Sequence, residues 1–243
     1  GQLHVIIEPF ISKEYLPEIE GLGSRLRQRE CIERVVDIET GSMTVSEAAR
    51  FKHLAFNGDF DHPEQTTGVV LNHTYGPRYQ LMLIGAGQVS LYLADMAQKL
   101  DYQVIVCDPR QEMLDQWHVD GVRLTNEMPD DAVRQFSQDN FSAIIALTHD
   151  PRIDDMGLME ALKTRAFFVG AMGSTRTSAK RRERLLQLDL TEAEINRLHA
   201  PVGLPIGSKT PAEIAIAILA QLTALRGEQT PSLEADFRTQ HVA

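Results

Sequence analysis

Residues 80–108 read QLMLIGAGQVSLYLADMAQKLDYQVIVCD, and they carry the clearest indication of secondary structure in the chain. It begins with the apolar run Gln80–Ile84, turns through GAGQVS at residues 85–90, and continues with helical periodicity over Val89–Leu100. A second apolar run, Gln103–Cys107, follows. Two short apolar runs joined by an amphipathic segment predict a strand–helix–strand unit whose strands are parallel and buried.

The turn between the first strand and the helix has the spacing of a phosphate-binding loop. Gly85 permits a tight turn, Gly87 leaves room for a phosphate, and Ser90 is small enough for close packing of helix on strand. The helix begins at Gln88 and Val89, where free N–H groups and the positive end of the helix dipole attract an anion. A purely structural turn is the alternative.

Asp108 ends the second strand. In a nucleotide-binding unit, an acid at this position accepts hydrogen bonds from ribose hydroxyls. Its alternative role is to cap the segment that follows, ahead of Pro109. Because the strands, the glycines, the helix and the acid agree in spacing, we expect this region to bind a nucleotide-type ligand.

Strands and helices continue to alternate after residue 108. Further strands are expected at 122–125, 142–147 and 166–169. Further helices are expected at 110–117, 130–139, 153–163, 178–188, 191–198 and 211–226. This order predicts an α/β fold with a C-terminal Rossmann-type, doubly wound parallel sheet, whose ligands lie at the carboxyl ends of the strands.

The first 76 residues have a different pattern and predict a smaller α+β domain. We expect a helix at 15–27, strands at 3–7, 31–38 and 68–72, and a loop at 56–67. The predicted organisation is therefore an N-terminal domain over 1–76, a Rossmann-type domain over 77–228, and a polar tail over 229–243.

Two further loops follow predicted strands and are candidates for the other side of a ligand cleft. Thr148 and His149 come after the strand at 142–147, and His149 can act as an acid, a base or a ligand. Both side chains can equally serve only to bond the loop. Gly170, Gly173 and Ser174 come after the strand at 166–169, where the glycines suggest a close approach of backbone and ligand.

The segment after these glycines carries the densest group of basic residues in the chain. We expect most of them to lie on a solvated helix face, with Arg176 as the exception because it is nearest the glycines. The group comprises Arg176, Lys180, Arg181, Arg182 and Arg184.

A third candidate loop precedes the last helix. Thr210 and Glu213 have the spacing of a capping box, which predicts the helix start. Gly207, Ser208 and Lys209 come just before it and can face an anion.

Composition excludes several classes of function. The chain has 243 residues and a formal net charge of −10, which argues against nucleic-acid and anionic membrane partners. No apolar run is long enough to cross a membrane, and no signal segment opens the chain, so we expect a cytoplasmic protein. The two cysteines, Cys31 and Cys107, are isolated, and the eight histidines show no paired metal spacing, so no metal site is expected.

Four segments together resemble the XdhC/CoxI accessory family. They are LIGAGQVSLYLADMAQKLDYQVIVCDPR, ALTHD, FFVGAMGSTRTSAKRRERL and, most specifically, HAPVGLPIGSKTPAEIAIAIL, within residues 79–226. The N-terminal GQLHVIIEP is also similar to a segment of that family. Longer members carry a Gly-rich, Cys-containing stretch before this segment, and neither Cys31 nor Cys107 has that context.

The resemblance implies a chaperone for molybdenum cofactor rather than a catalyst. Such a protein binds molybdopterin, in its simple or dinucleotide form, and assists its sulfuration and insertion into a xanthine-dehydrogenase-like molybdoenzyme. The implied partners are that enzyme, a cysteine desulfurase and a second copy of the chain. Two alternatives remain open: an oxidoreductase that uses NAD(P), and a nucleotide-sensing regulatory module.

Overall fold

The computed structural model describes residues 16–48, 55–57 and 68–229. It divides the chain into two compact units, Gly1–Pro77 with Gly227–Ala243, and Arg78–Arg226. The strand expected at 3–7, most of the loop expected at 56–67 and nearly all of the expected polar tail lie outside the described residues.

The first unit contains one helix and a four-stranded antiparallel sheet among its described residues. Its sheet order is β2-β1-β4-β3, and β1 alternates buried with half-buried residues. The helix and β1 were both predicted. The sequence missed β2, an exposed edge strand that has no run of apolar residues, and placed β4 about two residues too early. The elements are α1 (Leu16–Arg27), β1 (Ile32–Asp37), β2 (Met43–Glu47), β3 (Ala55–Phe56) and β4 (Val70–Tyr75).

The second unit is built on a six-stranded sheet in which each strand is parallel to its neighbours. The strands are β5 (Gln80–Ile84), β6 (Gln103–Cys107), β7 (Arg123–Thr125), β8 (Ser142–Ala146), β9 (Phe168–Ala171) and β10 (Leu198–His199). Their order is β7-β6-β5-β8-β9-β10, which is the doubly wound Rossmann arrangement. The chain reverses direction across the sheet between β5 and β8, so the ligand crevice of this fold is expected at the ends of those two strands.

Helices cover both faces of this sheet, as its apolar strands require. Leu81 and Leu83 belong to one buried cluster, and Met82 and Ile84 belong to the other, so β5 is buried on both sides. The α/β fold predicted from the alternating pattern is therefore confirmed. The helices are α2 (Gln88–Lys99), α3 (Gln111–Leu114), α4 (Pro129–Phe136), α5 (Pro151–Ala161), α6 (Thr175–Gln187), α7 (Glu192–Ile195) and α8 (Pro211–Gln229).

Several boundaries differ from the sequence-based expectation by two residues or more, and the strand expected at 166–169 is Phe168–Ala171. Two of the differences have a clear local reason. Helix α6 begins at Thr175 rather than Ser178, because the Ser174 side chain accepts the Thr177 N–H and caps the helix one turn earlier. The helix expected over 191–198 ends at Ile195, and the chain then enters the short strand β10. A two-residue edge strand is too short to leave a period in the sequence.

Candidate functional site

The turn after β5 is held rigidly between β6 and the end of β8. The Gly85 N–H donates to the Cys107 carbonyl at 2.7 Å, and the Ser90 hydroxyl donates to the Gly85 carbonyl at 2.5 Å. Gly85 has φ of +109°, and a Cβ here would lie 2.8 Å from Thr148 Cγ2 and 3.0 Å from the Thr148 nitrogen. Only glycine fits this position, because the turn lies directly against the backbone that follows β8.

The start of α2 is open to a ligand. Gly87 is the N-cap residue with φ of −87°, and no side chain caps the helix there. A Cβ on Gly87 would meet nothing within 4 Å. Gln88 is exposed, whereas Val89 and Ser90 are buried, so this segment offers a ligand its backbone N–H groups rather than a row of side chains.

The other helices of this unit have a capping side chain or an acidic residue at their N-termini, whereas α2 has neither. Among the helices that the structure describes within residues 78–226, α2 alone has neither a side-chain cap nor an acidic residue in its first turn. The caps are Asp150 on α5, Ser174 on α6, Thr191 on α7 and Thr210 on α8. The unsatisfied amides and the helix dipole therefore favour an anion at α2.

The N-terminus of α8 was also expected to face an anion, but a carboxylate of the chain lies there. Glu213 Oε2 accepts the N–H groups of Lys209 and Thr210 at 2.8 and 2.9 Å, which confirms the predicted capping box. These backbone hydrogen bonds, from Thr210 and then Lys209, hold the pKa of Glu213 below its usual value. Gly207 adopts φ of +80° with open space around it, and Ser208 is half-buried. Any external anion at this loop competes with Glu213.

Asp108 is fully buried, and its carboxylate is bound by its own chain. Oδ2 accepts the Ala86 N–H at 2.9 Å and Arg110 Nη2 at 2.8 Å. Oδ1 accepts Arg110 N and Nε at 3.1 and 2.9 Å. Burial on its own favours the neutral acid, but these hydrogen bonds outweigh it and leave the pKa of Asp108 below its ordinary value. Asp108 thus caps the segment that follows it through the Arg110 N–H, which is the structural alternative predicted from the sequence, and it also holds the glycine turn through the Ala86 N–H.

Most polar side chains of the loop after β8 form hydrogen bonds within the protein. The Thr148 N–H and hydroxyl donate to Asp154 Oδ1 at 3.0 and 2.7 Å. His149 is exposed and has a left-handed backbone with φ of 64°. Asp150 caps α5 by accepting the Arg152 N–H, and hydrogen bonds from the Arg152 side chain lower the pKa of Asp150 to about 2. Of this loop, His149 alone is placed so that its side chain is fully available at the surface.

The expectation that the basic group of α6 is mostly solvated is wrong for Arg181, which is buried, while Arg182 and Arg184 are half-buried. Arg181 is buried and donates to Asp154 Oδ2 at 2.8 Å and to the Met172 carbonyl at 3.0 Å. Arg184 binds Asp155 through Nε at 2.6 Å. Arg182 donates to the carbonyls of residues 195 and 198 at 2.8 and 2.6 Å. These guanidinium groups tie α6 to neighbouring elements and leave Arg176 and Lys180 exposed.

Asp154 was missed by the sequence analysis, although it links two of the ligand-side loops. Its Oδ1 holds Thr148 after β8, and its Oδ2 holds Arg181, which in turn bonds the loop after β9 at Met172. Burial raises the pKa of Asp154, while the hydrogen bonds from Thr148 and the charge of Arg181 oppose that shift. The ends of β5, β8 and β9 are therefore mechanically connected.

Gly170 and Gly173 both have close neighbours within the protein. Gly170 lies within β9, and a Cβ there would meet the side chains of Phe168 and Val202, each at 2.7 Å. Packing alone accounts for this glycine. A Cβ on Gly173 would lie 3.3 Å from Thr177, which is also bonded to the N-cap Ser174.

The two cysteines and the possible metal ligands of the described residues show what this part of the chain offers for thiol and metal sites. Cys31 and Cys107 are buried, and burial, with the nearby charge of Asp108, raises the pKa of Cys107 to about 12. Within residues 16–48, 55–57 and 68–229, no three His, Cys, Asp or Glu side chains group as a metal site requires. No helix in those same ranges combines the length and the apolar character that a membrane crossing needs.

The second unit is a Rossmann-type domain, as its strand order shows. It has a tight glycine turn after β5, and the helix after that turn has no side-chain cap at its N-terminus. The chain belongs to the XdhC family: the family described as the XdhC Rossmann domain matches residues 81–222. The resemblance drawn from the sequence motifs is thereby confirmed.

Three curated relatives share part of the chain. An uncharacterized protein, YqeB, from Escherichia coli K12 is 31% identical over 63% of this chain and 28% of its own length. A relative from Bacillus subtilis, named as a probable subunit of xanthine dehydrogenase, is 27% identical over 68% of this chain and 48% of its own length. The molybdenum cofactor insertion chaperone PaoD from Escherichia coli K12 is 31% identical over 37% of this chain and 29% of its own length. The chain thus spans less than half the length of each of these relatives.

A solved structure supports the fold. The crystal structure of a xanthine dehydrogenase from Bacillus halodurans superposes with a TM-score of 0.64 at 21% identity, covering 90% of this chain and 66% of the other. At this level of identity the likeness supports the architecture alone.

Proposed function

We propose that this chain is an accessory protein that binds molybdenum cofactor and delivers it to a xanthine-dehydrogenase-like molybdoenzyme. The observation that carries the proposal is the open N-terminus of α2 at Gly87, located at the switch point of a Rossmann sheet. A relative named as a molybdenum cofactor insertion chaperone supports the choice of ligand. A relative whose name links it to xanthine dehydrogenase supports the choice of partner.

The chain fits the phosphate end of such a cofactor. Molybdopterin carries a phosphate, and the N–H groups of Gln88 and Val89, together with the space at Gly87, form a cradle for it. The exposed Arg176 adds a cation near the loop after β9. Cys31 and Cys107 are buried, so neither is placed to contact the metal. The cofactor supplies the redox metal, and the chain's own residues bind and orient its phosphate.

The proposal extends to assembly. Sulfuration of the cofactor requires a sulfur donor, for which a cysteine desulfurase is the proposed partner, and a second copy of the chain is the proposed dimer mate. The proposed location is the cytoplasm, where these partners would meet the protein. His149 is exposed beside the glycine turn, and we propose that it contacts the pterin end of the ligand rather than acting in catalysis.

A dehydrogenase that uses NAD(P) is the weaker candidate. It needs an acid at the end of the second strand that is open to ribose, and the Asp108 carboxylate is bound by Ala86 and Arg110. The same point weighs against a sensor of adenine nucleotides. Neither alternative gains a specific observation from the structure.

Replacing Gly87 with Asp tests the phosphate cradle. An aspartate at this N-cap position can accept an N–H of the first turn, so we expect the unfolding midpoint to stay constant or rise slightly. Its negative charge occupies the proposed phosphate position, so molybdopterin affinity should fall about tenfold or more. Anaerobic native mass spectrometry with purified molybdopterin measures the retained fraction.

The variant Gly87→Asn is the matched control. Asparagine caps the helix equally well but brings no charge, so its loss of affinity should be clearly smaller than that of Gly87→Asp. Equal molybdopterin affinity of Gly87→Asp and the unmodified protein would show that the ligand does not bind at the N-terminus of α2. It would also contradict the proposed function.

A further inference from the structure

The triplet Asp-Pro-Arg occurs twice, each time after a strand near the switch point. One of these strands, β8, forms the switch point with β5, and the other, β6, is the neighbour of β5 on its other side. Residues 108–110 follow β6, and residues 150–152 follow β8. In each triplet the arginine binds the aspartate two residues before it through its backbone N–H, Nε and Nη2. We call each such Asp–Arg pair a clasp. The two clasps are alike in sequence and in hydrogen bonding.

The two aspartates differ in how far they are exposed to solvent and to a ligand. Asp108 has a fully buried side chain and also accepts the Ala86 N–H, while Arg110 is 35% exposed and lies over it. Asp150 is 26% exposed, and Arg152 is 89% exposed. An ionised carboxylate has about four acceptor positions, and those of Asp108 are filled by Ala86 and Arg110.

We propose that Arg110 determines ligand specificity by denying Asp108 to ribose hydroxyls. A Rossmann site selects adenosine ligands through an acid at the end of its second strand, which is the position of Asp108. With Arg110 clasped over that acid, the site selects its ligand by phosphate and not by ribose. The ligand class is therefore a phosphate-bearing molecule that places no ribose diol at this position, and this inference rests on the proposed function of the glycine turn.

Binding of a ribose hydroxyl to Asp108 would break stronger hydrogen bonds than it forms. For it to reach the carboxylate, the Arg110 side chain must give up two charge-assisted hydrogen bonds, Nε to Oδ1 and Nη2 to Oδ2. A hydroxyl returns one hydrogen bond with a neutral donor, which is weaker. The exchange is unfavourable while Arg110 is present, and it becomes favourable once the arginine is removed, because the buried carboxylate then lacks these donors.

The test compares ADP with 2′-deoxy-ADP by isothermal titration calorimetry on the full chain. The unmodified protein should bind the two nucleotides with equal affinity, since Asp108 is closed to both. The variant Arg110→Ala should bind ADP about tenfold more tightly than 2′-deoxy-ADP, equivalent to about 1.4 kcal/mol. The matched control, Arg152→Ala, opens the second clasp and should behave like the unmodified protein.

Two results would overturn the inference. One is a preference of about fivefold or more for ADP in the unmodified protein, and the other is an Arg110→Ala variant that gains no such preference, including one that binds neither nucleotide. If Arg110→Ala fails to fold, Arg110→Lys keeps one cation on Asp108 and should show a smaller preference in the same direction. Molybdopterin takes no part in these titrations, so its failure to bind would overturn the proposed function and leave this result separate.

Discussion

Replacing Arg181 with Met should lower the free energy of unfolding by about 3–5 kcal/mol, the range for breaking a buried ion pair from one side. The side chains of Arg181 and Asp154 are 3% and 1% exposed, and their salt bridge measures 2.8 Å. Methionine fills much of the volume but leaves the Asp154 carboxylate without its cation. The Met172 carbonyl also loses its donor. Urea denaturation followed by circular dichroism measures the loss.

Two further variants define what the Arg181 result means. Lys180→Met removes an exposed cation from the same helix and should change stability by less than about 0.5 kcal/mol. Adding Asp154→Asn to Arg181→Met removes the unpaired charge while keeping an acceptor for Thr148, so it should regain part of the loss. A loss below about 1 kcal/mol for Arg181→Met alone would show that the pair does not hold α6 in place.

The burial of Arg181 explains why the sequence-based prediction failed at α6. A run of arginines is usually solvated, and composition alone supported that interpretation. The helical spacing carried a contrary signal: Ser178, Arg181 and Leu185 are separated by three and four residues and form the buried face. Arg181 can be buried there because Asp154 is opposite it, and this pairing over 27 positions has no local signature.

The geometry of the glycine turn was predictable because it depends on backbone properties that local sequence encodes. Glycine spacing, a buried apolar strand and a helix start lie within residues 80–99, and the structure has each where expected. The roles of side chains at the same site were less accessible. Asp108 has the position of a ribose ligand, yet Arg110 two residues later binds it, and the sequence does not show which partner the carboxylate takes.

The loops at the ends of three strands form one connected chain of contacts. Gly85 lies against Thr148, Thr148 bonds Asp154, Asp154 bonds Arg181, and Arg181 bonds the Met172 carbonyl. Each contact fixes the position of the next loop, so the glycine turn that carries the proposed phosphate cradle is held in place by contacts within the protein. Such preorganisation reduces the conformational entropy that binding must overcome.

The first contact in this chain gives the second large prediction. Gly85→Ala should lower the free energy of unfolding by about 2–5 kcal/mol, combining backbone strain with overpacking. Its φ of +109° is unfavourable for any residue with a side chain, and the new Cβ would lie 3.0–3.1 Å from the Thr148 backbone. Backbone cannot rotate away as the end of a long side chain can, so the turn and the loop after β8 must separate.

The same substitution two residues later is the control for Gly85→Ala. At Gly87 the backbone already has φ of −87°, and a Cβ meets nothing within 4 Å, so Gly87→Ala should cost less than about 1 kcal/mol. Urea denaturation of both variants measures the difference. Equal losses would mean that Thr148 moves freely, and the rigid connection between the ends of β5 and β8 would then be wrong. A large difference would show that the fold requires glycine at position 85 and tolerates a side chain at position 87.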